Sequence, residues 1–358
     1  MRSRSTPSKR PSSDRRMEPL RVVAIGGGTG LSTLLKGLKR YTSLPGNHFA
    51  GSVERAISSL SAVVTVTDDG GSSGRLRKEL NMLPPGDIRN CIVALSEDEA
   101  LMSRLFRHRF DKGSGLQGHS FGNLFLAALT AMTKDFSEAV RLSSEVLATR
   151  GHIYPATTSN VELEALMEDG SRVRGETKIT ASKGRIQELF LIPPNPEPLA
   201  QTLEAIAQAD LITIGPGSLF TSLIPNLLVR GIPQAIADSP AIKVYVCNLM
   251  TQANESLGRS AADHIRALNA HAGGQIFDYA LINKKPASRE MKAKYASEGA
   301  APVDADCEAI REMGVVPVLG DYLDAGEVAR HATDRIAQEL MRLVSELRDR
   351  RLAPSRNR

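Results

Sequence analysis

The sequence predicts an α/β protein, with a mostly parallel, Rossmann-like sheet sandwiched by helices and one inserted antiparallel hairpin. Short apolar runs alternate with helical patterns along most of the 358 residues, as expected when helices connect the strands of a sheet. Aromatic residues make up only 4% and tryptophan is absent, so the core must be built from aliphatic side chains, which favours a parallel sheet. Glycine-rich turns follow two of the apolar runs, as in nucleotide-binding sheets.

The first half of the chain is expected to hold two strands and five helices. Each helical pattern places apolar residues three or four positions apart. The strands are Leu20–Ile25 and Ala62–Val66, and the helices are Gly30–Arg40, Gly86–Leu95, Asp98–Phe110, Phe121–Met132 and Ser137–Ala148. Tyr41–Ser59 is expected to be a loop because it contains Pro45-Gly46-Asn47.

Asn160–Thr180 then alternates apolar and polar residues around Glu168-Asp169-Gly170-Ser171, which predicts a hairpin. The strand and helix alternation resumes after it. The remaining strands are expected at Leu211–Ile214, Lys243–Cys247, Tyr279–Ile282 and Val315–Val318, and the last helix at Glu327–Leu347.

The net charge of +5 is concentrated at the two ends of the chain. Residues 1–19 and residues 348–358 each carry +4, which leaves −3 on residues 20–347. We therefore expect two basic tails, the first of them disordered, on a single folded domain. The domain has no basic stripe with interleaved aromatic residues, so nucleic acid is not an expected partner.

Targeting signals are not evident in the sequence. The start lacks the apolar segment of a secretory signal, and no run of about 20 apolar residues suits a membrane span. The three cysteines, Cys91, Cys247 and Cys307, show no metal-ligand spacing and are expected to be reduced. We expect a cytoplasmic protein without membrane insertion.

Two glycine loops are candidate phosphate-binding sites. Gly26, Gly27, Gly28, Thr29 and Gly30 lie between the first strand and the first helix, where glycine lets the backbone approach an anion and the helix dipole favours phosphate. No Walker motif is present, and the match to the dinucleotide-binding fingerprint is loose. Gly215, Gly217 and Ser218 repeat the arrangement after the strand Leu211–Ile214. Two such loops predict a ligand cleft at the switch point of the sheet.

A third candidate follows the second strand. It comprises Thr67, Asp68, Asp69, Gly71, Ser72 and Ser73. Paired carboxylates after a strand can bind a ribose hydroxyl, hold Mg²⁺ or act as a base, and all three roles stay open for Asp68 and Asp69. No cofactor is expected to be obligatory, and Mg²⁺ at these two residues is the one metal considered. An N-terminal helix cap would explain one aspartate but not both.

Two polar clusters precede helical patterns, namely Pro84–Asn90 and Gly118–Asn123. His119 and Asn123 are candidate ligand contacts, with helix capping as the alternative. Ser120 beside His119 is a conceivable nucleophile, but adjacent side chains point apart and no nucleophile-elbow motif is present.

Taken in order, these strings resemble the YvcK/CofD-like family, and within it the YvcK branch of gluconeogenesis factors. The resemblance covers residues 21–347. The strings that carry it are GGGTGLSTLLKGLK, TVTDDGGSSGRLRKEL, PPGDIRN, LFRHRF, GHSFGNL, IGPGSLFTSLIPNLL and KVYVCNLMTQ. Phe220 stands where the family pattern leads us to expect tyrosine.

This resemblance implies a CofD-like form of the Rossmann fold over residues 20–347. It also implies a regulator that binds a UDP-sugar such as UDP-N-acetylglucosamine and links gluconeogenic growth to envelope synthesis, peptidoglycan precursors and cell shape. Tyr295 and Arg330 look like the family's UDP-sugar contacts. A partner protein in envelope-precursor metabolism is implied as well.

Two other functions remain open. The CofD branch implies a Mg²⁺-dependent transferase, of the 2-phospho-L-lactate transferase type, that uses a nucleotide-activated donor and Asp68 and Asp69. The Rossmann-like first unit allows an NAD(P)-binding redox protein. A homo-oligomer is a further expectation, with the apolar helix faces in Leu219–Val229 and Ile336–Leu347 as candidate interfaces.

Overall fold

The computed structural model describes residues 19–42, 57–97, 101–182 and 184–352. The predicted basic tails lie mostly outside these ranges, as does most of the predicted loop after the first helix. The division into one domain and two tails therefore stays a prediction.

The predicted parallel sheet is confirmed, and it is entirely parallel. Its seven strands are β1 (Leu20–Gly26), β2 (Ile57–Val64), β3 (His152–Pro155), β7 (Leu211–Ile214), β8 (Ile242–Val246), β9 (Tyr279–Asn283) and β10 (Val316–Gly320). They are ordered β10-β9-β8-β7-β1-β2-β3. Strands β1, β2 and β3 follow one another toward one edge of the sheet. The chain then returns to place β7 on the other side of β1, and β8, β9 and β10 follow toward the opposite edge. The switch point therefore lies between β1 and β7.

A second sheet is antiparallel and ordered β5-β4-β6. Its strands are β4 (Glu162–Met167), β5 (Arg172–Arg174) and β6 (Ile186–Ile192). The predicted hairpin is β4 and β5, and the sequence reading missed β6. On β4 the buried residues alternate with partly exposed ones, because one face packs on the core while the other meets solvent.

Fourteen α-helices lie within the described residues. They are α1 (Gly28–Leu38), α2 (Gly71–Leu80), α3 (Gly86–Leu95), α4 (Leu101–Arg107), α5 (Phe121–Thr133), α6 (Phe136–Val146), α7 (Glu176–Ala181), α8 (Ala200–Ala207), α9 (Ile224–Leu227), α10 (Ile232–Asp238), α11 (Ala261–Ala272), α12 (Arg289–Ala296), α13 (Cys307–Glu312) and α14 (Thr333–Leu352). A 3₁₀ turn spans Lys39–Tyr41 and a π turn spans Leu219–Leu223. Helix α14 extends past the predicted end at Leu347, and the sequence analysis assigned no helix to the residues of α2.

The central strands are buried on both faces. Every residue of β7 is buried, as are the last five of β1. Helix α1 presents Leu31, Leu34, Leu35 and Leu38 to this core, and all four are at most 1% exposed. The apolar residues of Leu219–Val229 and of Ile336–Val344 pack into the same core. The proposed interface on those two faces is therefore wrong, because the chain itself covers them.

In the described part of the chain, no helix is long and apolar enough to cross a membrane.

Candidate functional site

The two glycine loops meet at the switch point. Gly27 precedes α1 in extended conformation, and Gly28 has a φ of +60° that favours glycine. A side chain at Gly30 would place its Cβ 2.2 Å from the carbonyl oxygen of Pro216. The backbone of the second loop therefore lies directly against the first turn of α1. Gly27 offers no side-chain cap, and the N–H of Gly28 donates to the Asp87 carboxylate. The N–H groups of Thr29 and Gly30 in the same turn remain available to an anion.

Asn248, directly after β8, holds the second loop in place. Its Oδ1 accepts a hydrogen bond from the N–H of Gly217 at 3.1 Å, and its Nδ2 donates to the Gly217 carbonyl at 2.7 Å. Gln252 donates through Nε2 to the hydroxyl of Ser218 at 2.9 Å. The sequence reading did not single out Asn248 or Gln252, whose only signal is their position after a buried strand.

Between the loops opens a cleft of about 340 Å³. Its walls include six predicted residues of the two loops, namely Gly27, Gly28, Thr29, Gly30, Gly217 and Ser218. Tyr295 also lines it. Gly26 and Gly215 do not, because Gly26 accepts hydrogen bonds inside the core and a Cβ at Gly215 would lie 2.7 Å from the carbonyl oxygen of Val246. These two glycines serve packing.

Tyr295 belongs to the far wall of the cleft. Its hydroxyl accepts a hydrogen bond from the N–H of Ala329 at 3.2 Å. This bond fixes the segment that contains Arg330 and His331. His331 lines the cleft, and its Nε2 donates to the carbonyl of Cys247 at 3.0 Å. Burial lowers the pKa of His331 to about 4, so the ring is neutral at pH 7.

Arg330 itself lines a neighbouring groove of about 440 Å³ that we call the basic groove. The cleft and the basic groove share Thr29, Gly30, Ala329 and His331 as walls. They are therefore two parts of one surface depression, and the structure brings Tyr295 and Arg330 to the glycine loops from distant parts of the sequence.

Asp68 and Asp69 lie at the end of β2, beside α2, and have different surroundings. Asp69 Oδ1 accepts hydrogen bonds from the N–H of Thr177 at 2.8 Å and from its hydroxyl at 2.5 Å. Asp68 Oδ1 accepts from the N–H of Gly70 at 2.9 Å. Thr67 shares a hydroxyl hydrogen bond with Thr65 at 3.1 Å. Gly71 begins α2 with a φ of +46°.

The predicted role of Asp68 and Asp69 as Mg²⁺ ligands stays a prediction. Asp69 uses Oδ1 for Thr177 and Asp68 uses Oδ1 for Gly70, so each aspartate keeps Oδ2 without a hydrogen bond among the described residues. In the same ranges, no group of three or more histidine, cysteine, aspartate or glutamate side chains is arranged to hold a metal.

Asp87 and Glu176 place two further carboxyl groups around Asp68. Burial, together with the charge of Asp68, raises the pKa of Asp87 to about 6 even though the carboxylate accepts the N–H of Gly28. Burial and the charges of Asp68 and Asp87 raise the pKa of Glu176 to about 9. A Cβ at Gly27 would lie 2.9 Å from Asp87 Oδ2. Asp87 therefore links this acidic cluster to the first glycine loop.

Ser72, His119 and Asn123 form a buried hydrogen-bond chain. The Ser72 hydroxyl is 2.9 Å from His119 Nδ1 and accepts from Asn123 Nδ2 at 3.1 Å. Because Asn123 uses the oxygen of Ser72 as acceptor, the hydroxyl proton is directed to Nδ1. Burial and the nearby charge of Arg75 lower the pKa of His119. Ser73 is buried beside Gly86.

Ser120 has a capping role and not a nucleophilic one. Its hydroxyl accepts a hydrogen bond from the N–H of Asn123 at the start of α5 and another from Arg89 at 2.7 Å. Both bonds use the oxygen that would have to attack a substrate. The nucleophile reading of Ser120 beside His119 is therefore not supported by the geometry.

Comparison with known proteins assigns this arrangement to a family. Residues 22–323 match the family described as 2-phospho-L-lactate transferase CofD. The chain belongs to the CofD family. Gluconeogenesis factors from Halalkalibacterium halodurans and Bacillus subtilis are each 47% identical over 91% of this chain, covering 97% and 98% of their own lengths. The YvcK-type resemblance of the sequence is thereby confirmed.

Solved structures of similar proteins have the same fold. An X-ray crystal structure of a Bacillus halodurans protein, 46% identical, superposes with a TM-score of 0.84 and covers 90% of this chain and 100% of its own. A second crystal structure from Bacillus halodurans, described as a member of the upf0052 family, has the same identity and TM-score over 91% of this chain. The family thus includes members of the same fold over nearly the whole described chain.

Proposed function

We propose that the protein is a regulator that binds a UDP-sugar in the cleft and communicates its level to envelope-precursor synthesis and cell shape during growth on gluconeogenic carbon. One observation carries the binding half of this proposal. The two glycine loops close on each other at the switch point, and the uncapped first turn of α1 opens into the cleft. Oriented N–H groups at a helix N-terminus favour a diphosphate.

The diphosphate would lie on the N–H groups of Thr29 and Gly30, with Arg330 at the junction of cleft and basic groove. Arg can pair with phosphate oxygens in a bidentate manner. Tyr295 would act as a positioning residue through its bond to Ala329. The cleft walls described above include no aspartate or glutamate, and His331 is tied to the backbone. These features favour binding over turnover. The link to a partner protein rests on the sequence resemblance, and the link to gluconeogenic growth rests also on the names of the relatives.

Thermal unfolding and calorimetric titration test the binding. We expect UDP-N-acetylglucosamine and UDP-glucose to raise the unfolding temperature, and GDP or NAD⁺ to raise it less. Arg330→Ala should weaken binding at least about tenfold because a charge-assisted contact to phosphate is lost. Arg311→Ala, which removes another exposed arginine, on helix α13, is the matched control. No response to any UDP-sugar would refute the proposal.

A transferase of the kind that names the family is the second candidate. The observation that favours it is the acidic cluster, in which Asp68 keeps a free carboxylate oxygen and Asp87 reaches the first glycine loop. Mg²⁺ supplied there would bind phosphate oxygens of a nucleotide donor. Ligand turnover that requires Mg²⁺, and that Asp68→Asn abolishes, would replace the regulator with this function. Recovery of intact ligand would exclude it for the ligand tested.

A further inference from the structure

The basic groove continues the nucleotide cleft along α1. Thr29 and Gly30 belong to both, so the groove begins where the diphosphate is proposed to lie. Ser32, Thr33 and Lys36 continue its wall. With Thr29 these residues follow the spacing i, i+3, i+4 and i+7, which puts them on one face of the helix. The opposite face carries the leucines that enter the core. Helix α1 is therefore polar on the side of the groove for its whole length.

Three cations line the groove: Lys36, Arg107 and Arg330. Their side chains are exposed and make no ion pair or hydrogen bond with any residue that the structure describes. Other arginines of the chain, such as Arg141 and Arg342, are paired with glutamates on their own helix. The groove walls contain no aspartate or glutamate. Uncompensated positive charge around one concave surface favours an anionic ligand group.

The position of Lys36 sets the distance of that group from the diphosphate. Lys36 is seven residues after Thr29, about 10 Å along the helix axis. Helical side chains lean toward the N-terminus, which brings the ammonium group back toward the loop by a few ångströms. A sugar attached to the second phosphate would occupy this interval. A neutral sugar would leave Lys36 and Arg107 without a partner.

We propose that the basic groove binds an acidic group on the sugar of the ligand, so that the site prefers nucleotide sugars with a carboxylate over neutral ones. This inference rests on the proposed function, because the sugar enters the groove only if the diphosphate lies on the glycine loops. Lys36 and Arg107 would contact the carboxylate, and Asn90 at the same wall offers its amide nitrogen, since its oxygen accepts from Arg89.

UDP-glucose and UDP-glucuronate are a matched pair of probes, because they differ only in a hydroxymethyl group and a carboxylate at one carbon. Titration calorimetry of the full chain should show tighter binding of UDP-glucuronate, by about tenfold at low ionic strength. The ratio of the two affinities should shrink as salt is raised, because salt screens exposed charges. A ratio near one at low salt, or a preference for UDP-glucose, would overturn the inference and leave the proposed function standing.

Lys36→Met and Arg107→Met separate the groove from the diphosphate site. Each should reduce the ratio at least about threefold, which is the scale of one exposed charge pair, and the double variant should bring it close to one. Lys78→Met removes an exposed lysine from the last turn of α2, outside the groove, and should keep the wild-type ratio. If Lys36→Met weakened both ligands equally, the groove would hold the diphosphate and the inference would be wrong. If neither ligand bound, both proposals would fail together.

Discussion

Asp69 and Thr177 join the two sheets of the protein. One carboxylate oxygen, Oδ1 of Asp69, accepts both the backbone N–H and the hydroxyl of Thr177. Asp69 follows the parallel strand β2, and Thr177 lies in the first turn of α7, directly after β5. The carboxylate thus caps helix α7, which follows strand β5 of the antiparallel sheet. Asp69 therefore has a structural role through Oδ1.

We predict that Asp69→Ala lowers the free energy of unfolding by about 1 to 3 kcal/mol, because it leaves two donors of Thr177 without an acceptor. Asp69→Asn keeps an oxygen at the same position and should lose less. Urea unfolding measures both. Asp111→Ala, which removes an exposed aspartate from a loop, is the control. A stability of Asp69→Ala equal to that of the wild type would contradict the joining role.

The acidic cluster makes the stability depend on pH. Glu176 has a pKa of about 9 in the folded protein and about 4.3 when unfolded. Between these values the folded state binds more protons than the unfolded one, so stability falls as pH rises across this window. Glu176→Gln stays neutral throughout. It should be more stable than the wild type at pH 8.5 by about 1 to 3 kcal/mol, the scale of an unpaired buried polar group.

The same comparison at pH 5 should show a smaller difference, because pH 5 lies close to the unfolded pKa of Glu176, at the lower end of the window in which stability is lost. Urea unfolding at the two pH values gives the result. Glu298→Gln, at an exposed position, should show no such trend. A difference between Glu176→Gln and the wild type that did not grow with pH would mean that the carboxyl group is charged in the folded protein.

The sequence was sufficient to predict the parallel sheet and the glycine loops, because their signals are local. Buried strands are apolar runs, and a loop that approaches an anion needs glycine. Helix α2 was missed because its first turn, Gly71–Gly74, has the composition of a loop. A Cβ at Gly74 would lie 1.9 Å from the carbonyl oxygen of Asp69. The glycine permits a tight turn into the helix, a tertiary reason that no periodicity reveals.

The partners of the site residues could not be predicted for a related reason. Asp69 and Thr177 are 108 residues apart, and Tyr295 and Ala329 meet only because α12 and the segment before α14 pack on the cleft. Nothing in the local pattern around these residues indicates such contacts. Tyr295 and Arg330 entered the sequence interpretation through family resemblance alone. The short edge strand β3 was missed because it has four residues and ends in proline.

His331 provides a second pH prediction, of opposite sign. Its pKa is about 4 when folded and about 6.5 when unfolded. The stability that it contributes is complete above pH 6.5 and is lost as pH falls toward 4, by about 3 kcal/mol. His331→Gln can still donate to the Cys247 carbonyl but does not titrate. Between pH 7 and pH 4.5 the unfolding free energy of His331→Gln should change less than that of the wild type, as measured by urea unfolding. His152→Gln, at an exposed position, is the control and should show the same change as the wild type.

Gly30 tests whether the contact between the two glycine loops matters for binding. In an ordinary helix, replacing glycine with alanine stabilises by about 1 kcal/mol. At Gly30 the added methyl group would meet the backbone of Pro216, which cannot move as a flexible side chain would. We therefore predict that Gly30→Ala lowers the free energy of unfolding by about 1 to 3 kcal/mol, because the site becomes overpacked. Because the loops are forced apart, UDP-glucose should also bind at least tenfold more weakly, a loss of about 1.4 kcal/mol in binding free energy.

Gly274→Ala is the matched control, since a Cβ there would contact nothing within 4 Å and its backbone conformation suits any residue. This variant should keep the wild-type affinity and unfolding free energy. Unfolding in urea and calorimetric titration with UDP-glucose would be measured on both variants. If Gly30→Ala were stable and bound UDP-glucose as the wild type does, the two loops would not form the diphosphate site. The diphosphate would then have to be sought at the arginines of the basic groove.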